Sequence, residues 1–113
     1  MRHRDARLRE CDYGELNGAP VEQVEATRSE RIDTPFPGGE SYTDVVRRTR
    51  DFLDHLLRDH DDARVLVIAH SANRYSLDHL LGGAPLSECV EAPFEWQPGW
   101  EYIVDGRQRA AAQ

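Results

Sequence analysis

Five consecutive apolar residues, Val65-Leu66-Val67-Ile68-Ala69, stand between an acidic turn and His70. This run constrains the chain more than any other feature. It has no polar alternation, so as a strand it needs cover on both faces, as in a parallel sheet lying under helices. The flanking sequence supplies helices. Over residues 41–59 the apolar stripe is Tyr42, Val45, Val46, Thr49, Phe52, Leu53, Leu56 and Leu57, at three- and four-residue spacing. Ser41 is an N-cap residue, and Asp44 follows three residues on, where a capping box places its acid. The other side of this helix carries Arg47, Arg48, Arg50, Asp51, Asp54 and Arg58 and reads as a solvated face. A second helix is predicted over 72–81, stopped by Gly82-Gly83. Shorter helical pieces are predicted over 20–29 and 85–90, and a last strand over 100–104 before Asp105-Gly106. This order predicts an α/β fold, a partial three-layer arrangement with a mostly parallel sheet flanked by helices.

Composition narrows the partners. The chain has 113 residues with 14 basic and 21 acidic side chains, a net charge of -7. That length suits a single domain over 1–113, with 1–6 and 107–113 read as flexible tails. The acidic balance excludes nucleic acid as a default partner and disfavours anionic membrane surfaces. All basic residues are Arg, so a lysine-dependent phosphate loop is excluded. No stretch approaches the roughly 20 apolar residues of a membrane span. The charged N-terminal residues do not read as a secretory signal, so the expected compartment is the cytoplasm. Cys11 and Cys89 are then expected as free thiols, and two isolated cysteines do not make a zinc site.

His70 is the most informative single position. It falls at the carboxyl end of the predicted strand, where open α/β sheets bind ligands. Ser71 and Ala72 follow at a helix N-terminus and offer backbone N–H groups to an anion. An imidazole there can stabilise charge on a phosphoryl group; it can equally satisfy a backbone carbonyl. Arg74, one turn further on, either adds a guanidinium or faces solvent. Glu10, in Leu8-Arg9-Glu10-Cys11-Asp12-Tyr13-Gly14, is the candidate acid. A carboxyl beside a phosphoryl anion holds its proton more tightly and can hand it to a leaving alkoxide. Alone, Glu10 is one acid among 21. Pro37-Gly38-Gly39-Glu40-Ser41 reads as a glycine-rich entry to the long helix, and more readily as a capped loop than as a phosphate cradle.

Together these segments resemble the histidine phosphatase superfamily, with its phosphoglycerate mutase-like fold. Leu8 to Gly18 is similar to that family's Leu-x-Glu-x-x-x-Gly-x-x-x-Gly segment. Pro37-Gly38-Gly39-Glu40-Ser41 is similar to its Pro-x-Gly-Glu-Ser helix entry, and the run ending at His70 to its strand ending in a second histidine. The resemblance spans about residues 7–104. It implies phosphoryl transfer on phosphomonoesters through a phosphohistidine, with a phosphorylated small molecule as partner and no metal or other cofactor. It places Glu10 on the family's proton-donor acid and His70 on the histidine that contacts the phosphoryl group without becoming phosphorylated.

The family's nucleophile lies in an Arg-His-Gly motif on a first strand. Met1-Arg2-His3-Arg4 has the Arg-His pair without the Gly and without an apolar strand, and His3 is read as coincidence. The expectation is therefore a C-terminal portion of the domain, missing the N-terminal strand and helix and inactive alone. An unpaired sheet edge at 65–69 would make it marginally stable or lead to a homodimer. The competing functions are a non-catalytic module that binds phosphate ligands and an interaction domain presenting the aromatic-rich segment 94–100.

Overall fold

The computed structural model describes residues 4–60 and 64–104. Among the described residues four α-helices form the framework: α1 (Val21–Glu25), α2 (Tyr42–Asp59), α3 (Ser71–Gly82) and α4 (Leu86–Glu91). Two 3-10 turns, Ala6–Leu8 and Gly14–Leu16, precede α1, and a third, Arg28–Glu30, lies between α1 and α2.

The local signals explain the helices. Ser41 Oγ accepts from Asp44 N at 3.1 Å, and Asp44 Oδ2 accepts from Ser41 N at 2.9 Å, closing the predicted capping box. From that start α2 buries Tyr42, Val45, Val46, Thr49, Phe52 and Leu53 along one stripe. α3 begins one residue earlier than predicted and ends on Gly83 in the left-handed conformation, φ 78°. α4 appears where the 85–90 turn was expected. The predicted helix over 20–29 breaks into α1 and the separate 3-10 turn Arg28–Glu30, because few apolar side chains anchor it.

The predicted sheet is overturned: among the described residues there is no strand. Residues 65–69 are extended but make no backbone hydrogen bond with other described residues. Leu66 is 86% and Ile68 87% exposed, while Val67 packs inward. Residues 100–104 form no strand either. A strand is a property of a pair, because its N–H and C=O groups need a neighbouring chain, and neither run faces one. The sheet edge on which a homodimer was expected is therefore absent from the described residues.

The core forms instead where helices and loops meet. In one cluster Cys11, Phe36, Tyr42, Val45, Ala72 and Val90 pack together. Rings step through it edge to face, Tyr13 to Phe36 at 5.0 Å, Phe36 to Tyr42 at 5.8 Å and Tyr42 to Tyr75 at 5.8 Å. A second cluster, Val46, Phe52, Leu53 and Leu80, lies between α2 and α3. Of the expected tails, 1–3 and 107–113 lie outside the described residues; Asp5 caps the Ala6–Leu8 turn through Arg7 N at 2.9 Å. No described helix is long and apolar enough to cross a membrane.

Candidate active site

The site is built on the segment 7–18, which holds little regular structure and is fixed by partners distant in sequence. Its turn is closed by Asp12, whose Oδ1 accepts from Gly14 N at 2.9 Å and Asn17 Nδ2 at 2.8 Å. The turn then locks into the loop at 36–41. Glu15 N donates to Pro37 O at 2.9 Å, Glu40 N to Asp12 O at 2.8 Å, and Asp12 N to Glu40 Oε1 at 2.9 Å. The two backbones come so close that only glycine fits. A Cβ on Gly39 would lie 2.2 Å from Asp12 O, and one on Gly14, where φ is +57°, would lie 2.1 Å from Pro37 O. Gly14 and Gly39, one from each sequence motif, are thus explained by this interlock.

Arg48 holds the segment from the other side. Its Nη1 donates to Arg7 O and Arg9 O, each at 2.7 Å, and its Nη2 to Glu10 O at 3.0 Å. Its Nε and Nη2 also grip the Glu40 carboxylate at 3.0 and 2.9 Å, a bidentate pair. Asn73, fully buried, donates from Nδ2 to Arg9 O at 3.2 Å, and its Oδ1 accepts from His70 N at 3.0 Å.

These restraints deliver the Glu10 carboxylate to the first turn of α3. Glu10 Oε1 accepts from Ala72 N at 3.1 Å and from Cys11 N at 2.9 Å. The Ala72 N–H, expected at a phosphate site, here donates to the Glu10 carboxyl on the first turn of α3. Glu10, Ser71 and Arg74 line one cleft of about 520 Å³, together with Tyr13, Arg28 and Tyr75. Arg28 Nη1 donates to Tyr75 Oη at 2.6 Å. Arg74 is not a free surface cation. Its guanidinium lies over the Trp100 ring, 4.4 Å from the centroid, and its Nε is 3.5 Å from Asp78 Oδ2. Tyr102 Oη donates to the other Asp78 oxygen at 2.6 Å. Burial, then this bond to Asp78, raises the Tyr102 pKa. Burial also raises that of Tyr75, offset in part by the Arg28 charge.

Four of the five predicted site residues therefore converge: Glu10, Ser71, Ala72 and Arg74. His70 does not join them; it is exposed and does not line the cleft. No other described imidazole lines the cleft either. His79 sits at the far end of α3, its Nδ1 2.7 Å from Ala84 O. His3 lies outside the described residues. Cys11, buried in the core, has its thiol pKa pushed up to about 12 by burial and the carboxylates of Glu40 and Glu10, so it is a poor nucleophile.

The sequence reading missed Arg48, Asn73, Arg28 and Tyr75. Arg48 was assigned to the solvated face of α2, yet it follows Val45 by three residues and precedes Phe52 by four, at the edge of the buried stripe. Asn73 stands three residues after His70, the spacing of a helix-start bond.

An acid seated on a helix N-terminus beside two guanidinium groups suits the handling of an anionic ester. The chain belongs to the histidine phosphatase superfamily (branch 1), whose sequence profile matches residues 2–97. Among curated relatives, the 2,3-bisphosphoglycerate-dependent phosphoglycerate mutases of Brucella ovis, Brucella canis and Brucella abortus (strain S19) are each 33% identical over 90 residues. Each match covers 71% of this chain and 44% of the relative, so the matched region is less than half of those proteins.

Proposed function

We propose that this chain carries the acid and anion-binding side of a phosphoryl-transfer site for phosphomonoesters. The observation that carries the reading is the seating of Glu10 Oε1, 3.1 Å from Ala72 N on the first turn of α3. A phosphoryl group entering the cleft competes for that turn. The Ser71 and Ala72 N–H groups and Arg74 receive its oxygens, and Glu10, displaced from its seat, is placed as the acid for the leaving oxygen once a nucleophile from outside the described residues takes the phosphoryl group. The phosphoglycerate mutases it resembles name one such chemistry, and the wider class here is phosphomonoesters. The two free, buried thiols support work in a reducing cytoplasm.

The chain alone binds phosphomonoesters without turning them over. What supports this is the cleft itself, which Glu10 lines and no described imidazole does. The test is an assay of the purified 113-residue chain with 4-nitrophenyl phosphate, alongside thermal melting with the same ligand. The expected result is ligand-dependent stabilisation without hydrolysis, lost in Arg74→Ala. Robust hydrolysis that disappears in His70→Ala would overturn the inactivity. No stabilisation by any phosphate compound would overturn the site.

A further inference from the structure

We infer that the cleft takes a phosphomonoester with an apolar, flat body, such as an aryl phosphate, in preference to a phosphorylated short-chain acid. This rests on the phosphomonoester reading above and adds to it the class of the leaving group.

The cleft that Glu10 lines also has an apolar stretch. There the wall is Leu16, Val21, Val24, Pro93 and Phe94, contributed by three separate stretches of chain. Val21 is 66% and Phe94 65% exposed, so two large apolar side chains stand in water at the rim. They are continuous with the cationic end: Phe94 packs on Trp100 with centroids 6.3 Å apart, and Trp100 in turn covers the Arg74 guanidinium. A ligand with its phosphate at Arg74 has its body directed along an aromatic and aliphatic surface.

A second anionic group on the ligand meets more carboxylate than guanidinium there. The other charged groups lining the cleft are the carboxylates of Glu25 and Asp78 and the single guanidinium of Arg28, one of whose N–H groups is already given to Tyr75. A carboxylate carried beside the phosphate would be desolvated against the apolar wall or repelled by Glu25 and Asp78. An aryl group instead removes the exposed faces of Phe94 and Val21 from water. The volume, about 520 Å³, lies in the range of sites for medium-sized organic ligands.

The test measures dissociation constants on the whole chain by titration calorimetry for four probes: phenyl phosphate, 3-phosphoglycerate, inorganic phosphate and phenol. Phenyl phosphate is expected to bind on the order of tenfold more tightly than 3-phosphoglycerate or inorganic phosphate. Phe94→Ser and Val21→Ser, both at exposed positions, are expected to erase that advantage while inorganic phosphate still binds. Circular dichroism checks that both variants keep the parent's helix content. Equal binding of the three phosphates, or an advantage that survives both substitutions, overturns the inference and leaves the phosphomonoester site standing. Phenol binding as tightly as phenyl phosphate, or no binding by any phosphate, overturns both.

Discussion

The loop at 36–41 and the segment at 65–69 each lead into a helix, α2 and α3, yet their backbones have opposite surroundings. In the first, Phe36 N donates to Glu40 O at 3.0 Å, Gly39 N to Phe36 O at 2.8 Å, and the 12–15 turn supplies further partners. Phe36 is fully buried beneath it. In the second, no backbone hydrogen bond joins 65–69 to any described residue, and Leu66 and Ile68 face outward. Apolar composition would have ranked them the other way. What distinguishes them is closure: the glycine loop finds its partners locally and in one interlocking turn, whereas a strand needs a second strand. Burial follows satisfied backbone, not apolar content alone.

The sharpest way to break this contrast is Gly39→Ala. Its Cβ would lie 2.2 Å from Asp12 O, and both atoms belong to backbone that other bonds hold in place. A loss of more than about 3 kcal/mol is expected, enough to unfold a chain of ordinary marginal stability. Gly82, with nothing within 4 Å of an added Cβ, is the control, and Gly82→Ala should leave the urea midpoint nearly unchanged.

Alkaline pH attacks the same interlocked region through Cys11. An exposed thiol ionises near pH 9, but the buried one holds its proton to about 12. The folded pKa is raised, so this contribution is fully present below pH 9 and drains away as pH rises from 9 to 12. The slope is about 1.4 kcal/mol per pH unit for one proton. Half-buried Tyr13 and buried Tyr42, whose pKa values are also raised chiefly by burial, add loss of the same sign above pH 10. Urea midpoints at pH 7 and 10.5 are expected to fall less in Cys11→Ala than in the parent chain.

Arg48→Met is next in size. It removes the bonds to three carbonyls and leaves the half-buried Glu40 without its guanidinium, a cost of about 2 kcal/mol once partial solvent screening is allowed for. Hydrogen exchange at Glu10 and Cys11 should quicken with it. At the other extreme, Leu66→Ser and Ile68→Ser are expected to shift stability by no more than about 0.5 kcal/mol. A larger loss at either would mean that 65–69 is covered in solution.

The sequence made legible whatever local spacing encodes. α2 with its capping box, the Gly83 stop of α3 and the Leu86–Glu91 helix all follow from residues within four positions of each other. Glu10 was singled out by motif order, and Ser71, Ala72 and Arg74 by their place at the start of the helix after His70. The sheet was inferred from one apolar run with no visible partner, and the partner decided the outcome. Arg48 was misplaced for a related reason: an arginine at the edge of an apolar stripe is read as solvated until the carbonyls it meets, 38 to 41 residues away in sequence, are known.

The most direct measurement of the central claim is a ¹H–¹⁵N NMR titration of the labelled chain with phenyl phosphate. The account predicts saturable shifts at the Ser71, Ala72 and Arg74 amides, a displaced Cys11 amide as Glu10 leaves its seat, and quiet signals at Leu66 and Ile68. Saturating shifts confined to 65–69, or none at Ala72, would contradict it.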